Sequence, residues 1–320
     1  DEEIVKTGLI DPTIGLLKLT RNDGSPLAVL YHFACHPIMN PPSKGSSADF
    51  PGFASKVIED ATGATAFFLQ GCGGDINPLN YKDASRLADA EPLGTMLGAS
   101  VLGALKSLQP SDDGTLRVTQ ELLQLPRAAD YETRITKLQE EQKRLVSSLQ
   151  PTTLNFKSFL PLLIQHRVWP EPPTHPAKPE EHHADNLAAI NGYLANIRIM
   201  ERLTRLNANL TLLKKNLEKT RAAQSATAEA ELCGLRVGAF KLVTFPAELT
   251  VEVGLEIKSK SGDLNAHVSG YTNGYLYYAA TEAQRLNTGY AQEDCDVLLA
   301  PEWRALFESS ALRTLARLAE

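Results

Sequence analysis

Long apolar runs are missing from this chain. No stretch approaches the ~18 consecutive apolar residues that a membrane-spanning helix needs. A basic excess is missing too: 32 lysines and arginines face 38 aspartates and glutamates, for a net charge of −6 and a pI of about 5.7. The electrostatic footprint of a nucleic-acid binder is therefore absent. Cysteine is scarce. Cys35, Cys72, Cys233 and Cys295 stand far apart with no CxxC spacing, which argues against a zinc knuckle and against a dense disulfide framework. The opening residues DEEIVKTG hold neither a methionine nor a signal-like apolar segment. The expectation is that the natural N-terminus has been removed, and no targeting signal reveals a compartment. What is present is core-forming material. Of 320 residues 43% are hydrophobic, enough for one large domain or two smaller ones.

Three regions differ in texture. Between residues 13 and 110, strand and helix signals alternate. TIGLLKLT and LAVLYHFACH read as strands joined by the turn NDGS. DFPGFASKVIEDATG reads as a helix with Asp49 as its cap and Gly63 as its stop. AFFLQ is a short buried strand, and EPLGTMLGASVLGALKSL is a helix with small residues on one side. Residues 125 to 225 instead carry three-four spacings, first from Ile135 to Leu149 and then from Leu187 to Leu217, with one slipped step near Met200. Between these runs VWPEPPTHPAKPEEHH is too rich in proline for a regular helix. This region reads as a long helical hairpin with an irregular tip. It either covers the core or serves as a lid or an arm for a partner or a second copy. Residues 231 to 320 return to the first texture. The prediction is a single α/β domain over residues 1–320, a mixed β-sheet core flanked by helices, interrupted by the hairpin at about 125–228.

Several side chains could carry chemistry. AFFLQGCGGDINP, residues 66 to 78, runs a strand into three glycines, Gly71, Gly73 and Gly74. Two readings stand: a tight left-handed turn, or a backbone cradle for an anion or a reacting carbonyl. His36 ends a strand before Pro37, where an imidazole is a structural group, a metal ligand or a general base. His32, four residues earlier on the same strand face, lies about 13 Å away along a strand and reads as packing or support. Glu248 falls at the expected first turn of a helix, either as favourable charge or as a ligand. Asp49 fits a helix cap, and Asp75 an Asx turn. Five tyrosines, Tyr271, Tyr275, Tyr277, Tyr278 and Tyr290, crowd one loop and read as a binding surface.

Taken in order, FACHP at 33–37, SADFPG at 47–52, the FLQGCGGDINP loop, FPAELTVEVG at 245–254, and GYTNGYLYYAAT followed by GYAQE resemble the neutral/alkaline (non-lysosomal) ceramidase family. The resemblance covers roughly residues 13–110 and 231–300, but not the hairpin. It implies a zinc amidohydrolase that cleaves an N-acyl lipid amide, with Zn2+ held by His36, Glu248 and Tyr278. Tyr290 would stabilise an oxyanion, and Asp75 or Asp49 would position the water or the leaving amine. It also favours a secreted or periplasmic location. Nitrogen and oxygen ligands of this kind suit zinc.

Two departures stand out. The family's upstream HxH-type histidine has no counterpart here, and no spacing makes His166, His175, His182, His183 or His267 its substitute. Gly71 stands where the family has a catalytic serine, so the loop is expected to lend N–H groups and no nucleophile. Cys72 beside it is either a small packed residue or, with His36, the nucleophile of a cysteine hydrolase. A further alternative is a non-catalytic scaffold whose helical arm binds a partner.

Overall fold

The structure, a computed structural model, describes residues 8–40, 45–78, 85, 88–168, 179–286 and 293–320; for 166–168 and 179–183 it describes the backbone alone. In chain order the elements are β1 (Gly15–Thr20), β2 (Pro26–Phe33), α1 (Asp49–Thr62), β3 (Thr65–Gln70), α2 (Glu91–Leu105), β4 (Leu116–Pro126), α3 (Tyr131–Ser147), α4 (Phe156–Val168) and α5 (Pro179–Ala222). They continue with β5 (Thr227–Val237), β6 (Phe240–Thr244), β7 (Glu248–Leu249), α6 (Val251–Ser261), β8 (Ala266–Ser269), β9 (Tyr278–Ala279), α7 (Glu282–Arg285) and α8 (Trp303–Ala319). This is an α/β protein with mixed sheets. Among the described residues no helix is long and apolar enough to cross a membrane.

The chain divides into two compact units. The first comprises residues 1–128, 224–285 and 297–320, the second 129–223 and 286–296. In the first unit, β1-β2-β3 form one sheet, β1 antiparallel and β3 parallel to β2. A second sheet has the order β4-β5-β6-β8, with β8 parallel to β6. A third sheet is only the parallel pair β7-β9. The β1-β2 hairpin turns at the expected place, where Asp23 accepts from the Ser25 N–H and Gly24 takes φ 82°.

Helix α1 buries Phe50, Pro51, Ala54 and Ile58 along one face and ends at Gly63, whose φ of 71° lets its N–H reach the Glu59 carbonyl. Its partner α2 needs glycine for a different reason. A Cβ on Gly94 would lie 2.5 Å from the Phe53 Cβ, and one on Gly98 would lie 2.8 Å from the Val57 Cβ. The small stripe lets the two backbones approach. Around the second sheet, Trp303, Phe307, Ala311 and Leu315 of α8 join Leu125, Leu232, Val243 and Phe245 in one buried cluster. The Trp303 indole donates to the Ala280 carbonyl at 3.0 Å, so this large ring is buried without leaving its N–H unpaired.

The second unit holds the predicted hairpin. Leu145, Ile190, Leu206, Leu210 and Leu213 are buried, Phe159 stacks on Tyr193 at 4.4 Å, and Arg202 bonds to Glu141 at 3.0 Å. The proline-rich tip, with His175, lies outside the described residues, as do the side chains of His166, His182 and His183.

Candidate functional site

His36 and Glu248, 212 residues apart in sequence, meet at 3.0 Å between Nε2 and Oε2. Two backbone devices bring them together. The first is the glycine loop after β3. The Gly71 N–H reaches back to the Phe33 carbonyl at 2.9 Å, and the His36 N–H donates to Ile76 at 2.8 Å. The Gly74 N–H donates to the Leu249 carbonyl at 2.7 Å. His36 does not end the strand as expected but lies three residues beyond β2, and the loop is a strap joining the segment that carries it to β7, which carries Glu248. The second device is the tyrosine loop. The Tyr271 N–H donates to Ala247, Thr272 to Phe245 and Leu276 to Pro246, while the Glu248 N–H donates to Tyr277. Holding this course, Tyr271, Asn273 and Tyr277 take φ of 57°, 61° and 60°, a left-handed conformation that is uncommon for bulky residues.

The loop aims three phenols at the pair. The Tyr271 hydroxyl donates to Glu248 Oε2 at 2.9 Å and lies 3.3 Å from His36 Nε2. Tyr275 donates to the other carboxylate oxygen, Oε1. The Tyr278 hydroxyl lies 3.4 Å from Nε2. On the far side of the imidazole, Nδ1 faces the Ile76 carbonyl at 3.3 Å, which fixes the ring and turns Nε2 towards Glu248. Burial pulls the His36 pKa down, but the hydrogen bond and charge of Glu248 outweigh it, so the net shift is upward. Burial pushes Glu248 up, and His36 with the phenols of Tyr275, Tyr278 and Tyr271 brings it below its ordinary value. The Tyr271 phenol is raised by burial and by the Glu248 charge.

The sequence expectations fare differently one by one. Glu248 is not in a helix: it sits in β7, paired with Tyr278 in β9, and α6 begins at Val251. Its charge therefore serves the site and not a helix end. Gly71, Gly73 and Gly74 do not make a left-handed turn, since none has a positive φ. They are glycines for lack of room. A Cβ at 71 would lie 2.9 Å from the His32 ring, one at 73 the same distance from the Cys35 nitrogen, and one at 74 at 2.8 Å from the Leu249 carbonyl. Nor do their N–H groups offer an oxyanion cradle. All three already donate to carbonyls, Gly73 to that of Gly71 at 2.8 Å.

Cys72 is 4% exposed within the main apolar cluster, with its sulfur against the position a Gly254 Cβ would take. Its sulfur faces the Val268 carbonyl at 3.8 Å and burial raises its thiol pKa, which disfavours the thiolate that a cysteine nucleophile needs. Asp49 is the first residue of α1, not the residue before it. Its carboxylate accepts from the Asn40 and Phe50 N–H groups, both at 2.7 Å, and ties a loop to the helix start. Asp75 accepts from the Val251 N–H at 2.8 Å and so caps α6 from a different segment. Loss of surrounding solvent raises its pKa, against the pull of that amide and of His36. Tyr290 lies outside the described residues. The sequence reads Tyr271 and Tyr275 as part of a binding surface, and the Asn273-Gly274 step between them, a turn signal favouring positive φ, is the local sign that the loop folds back.

A donor set of one imidazole nitrogen with carboxylate and phenol oxygens fits a zinc ion. Ligands bound tetrahedrally at about 2.0–2.1 Å lie ~3.3 Å from one another, and the separations of Nε2 from Oε2, Tyr271 and Tyr278 are 3.0, 3.3 and 3.4 Å. Among the described residues no group of three or more His, Cys, Asp or Glu side chains could hold a metal, so the phenols are needed to make up the number. His32 is not part of this set. It is 2% exposed, bonds to the Val268 carbonyl at 2.9 Å and packs at 5.2 Å on His267.

The fold of this chain is similar to that of solved neutral ceramidases. The structure is similar over 97% of this chain to the crystal structure of neutral ceramidase from Pseudomonas aeruginosa, with a TM-score of 0.55, 19% identity and coverage of 47% of that chain. It is similar, again with a TM-score of 0.55, to a ceramidase complexed with C2, at 14% identity and with 97% of this chain and 48% of that one covered. The chain thus spans about half the length of these solved structures. No family model and no curated protein sequence matches it significantly.

Proposed function

We propose that this chain is a metal-dependent hydrolase that cleaves an amide or an ester in a substrate with an apolar acyl chain, an N-acyl lipid being the first class to test. The observation that carries this reading is the 3.0 Å His36–Glu248 contact ringed by phenols, within a fold shared with neutral ceramidases. His36, Glu248 and Tyr278 would hold Zn2+, and the chemistry supplied there would be activation of water and polarisation of the scissile carbonyl. The chain's own residues supply the rest. Ile76 holds the His36 ring so that Nε2 faces inward, and Tyr271 and Tyr275 fix both oxygens of Glu248. Asp75, within the field of His36, would orient the water or receive a proton bound for the leaving amine. Tyr290 would steady charge on the carbonyl oxygen. With the glycine N–H groups engaged, that task falls to side chains.

The test is to purify the full chain, measure its zinc, and follow hydrolysis of a fluorogenic long-chain N-acyl substrate with and without chelator. About one zinc per chain and chelator-sensitive turnover are expected. His36→Ala and Glu248→Gln should each lose zinc and turnover together. A variant that keeps full zinc but loses turnover would contradict the ligand assignment. Among the described residues no group of three His, Cys, Asp or Glu side chains could hold a metal, which favours a second reading, a non-catalytic scaffold, and wild-type protein without zinc or turnover would support it.

A further inference from the structure

We propose that Tyr271 is a further protein ligand in this site, alongside His36, Glu248 and Tyr278. The inference rests on the metal reading above. Tyr271 and Tyr278 stand in the same relation to His36. Their hydroxyls are 3.3 and 3.4 Å from Nε2, and both ring centroids are 6.4 Å from that of the imidazole. One ring meets the imidazole edge-on at 89° and the other lies nearly parallel at 29°, so they approach differently.

Tyr271 also closes a triangle. Nε2 to Oε2 is 3.0 Å, Oε2 to the Tyr271 hydroxyl 2.9 Å, and that hydroxyl to Nε2 3.3 Å. These are separations expected of neighbouring ligands around one small ion. Tyr275, by contrast, is directed at Oε1, the other oxygen of the same carboxylate.

The backbone is built to place this phenol. Tyr271 adopts φ 57°, and the hydrogen bonds Gly270 N–H to Gln70, Tyr271 N–H to Ala247 and Thr272 N–H to Phe245 hold it on both sides. Strain held in place by so many neighbours is characteristic of residues with a role at a site. A phenol needed only as a hydrogen-bond donor to Glu248 would stay protonated when metal binds. A phenol that ligates gives up its proton to solvent as the oxygen–metal bond forms, and it becomes visible as tyrosinate.

The experiment is a zinc titration of the full chain, counting tyrosinates formed per zinc by ultraviolet difference absorption. Two per zinc are expected for the wild type. Tyr271→Phe and Tyr278→Phe should each give one, with zinc affinity by chelator competition lowered by about 10–100-fold or more. Tyr275→Phe should still give two. One tyrosinate per zinc in the wild type, or an unchanged count in Tyr271→Phe, would overturn the inference while leaving the metal reading intact. A wild-type chain that takes up no zinc would overturn both. The wild-type count depends on no variant folding.

Discussion

On His36 the two ring nitrogens face unlike surroundings, a carbonyl at Nδ1 and a carboxylate at Nε2. A neutral ring protonated at Nδ1 would point a lone pair at an anion, so something positive belongs between Nε2 and Oε2. In metal-free protein that is a proton, consistent with a raised His36 pKa and a lowered Glu248 pKa. The signs follow. A histidine whose pKa rises on folding stabilises the fold below its unfolded value of 6.5, and the contribution is lost as pH climbs through the folded pKa. A carboxylate whose pKa falls contributes above its unfolded value of 4.5 and loses it as pH drops through the folded pKa. The pair should therefore stabilise metal-free protein most between about pH 4.5 and 6.5. Thermal melts of metal-free wild type and Glu248→Gln across pH should differ most in that window, and the gap should narrow as pH climbs through the folded His36 pKa; a pH-independent gap would mean the pair is not ionised. His36 and Glu248 were legible as candidates in the sequence because an imidazole at an expected strand end and a carboxylate at an expected helix start are natural places for chemistry. Tyr271 was not, because only a left-handed backbone turns it inward, and tyrosine gives no warning of that conformation.

Among the elements, β7 and β9 do more for the site than their size suggests. Two residues each, they carry Glu248 and Tyr278 side by side, yet two residues show no periodicity, which is why the sequence reads this stretch as helix. The longer strands β1 and β2 were legible from their alternation, and α1 from its stop signal at Gly63. The glycine strap was legible as a special loop but not in its purpose, since need for space and need for positive φ look the same in a sequence. Its purpose can be tested. At Gly74 a Cβ would meet the backbone of Leu249 at 2.8 Å and of Glu248 at 3.2 Å, and neither can move without shifting β7. Gly74→Ala is expected to cost about 1–3 kcal/mol in urea unfolding and to weaken zinc binding as well. A variant of wild-type stability would show that the strap is slack.

At the scale of the whole molecule, buried histidines with lowered pKa values are expected to contribute to the response to acid. His267 lies between Gly15 and Phe240, 4% exposed, with its Nδ1 unpartnered among the described residues. Burial, then the neighbouring His32 and Lys258, lower its pKa to about 3, with Asp11 and Asp263 pulling weakly the other way. The unfolded chain takes up a proton near pH 6.5 that the folded one refuses, so stability should fall by up to about 1.4 kcal/mol per pH unit on acidification between the two pKa values. Urea unfolding across that range should show a shallower decline for His267→Phe. An identical slope would place the acid sensitivity elsewhere.

The first compact unit is discontinuous in sequence, and its site inherits that division. His36 belongs to the stretch before the hairpin, Glu248 and the phenols to the stretch after it. A ribosome translating this message releases the imidazole first and must add more than two hundred further residues before Glu248 and the phenols exist. The centre therefore cannot form until the hairpin has been made, and a chain truncated within the hairpin would emerge without it.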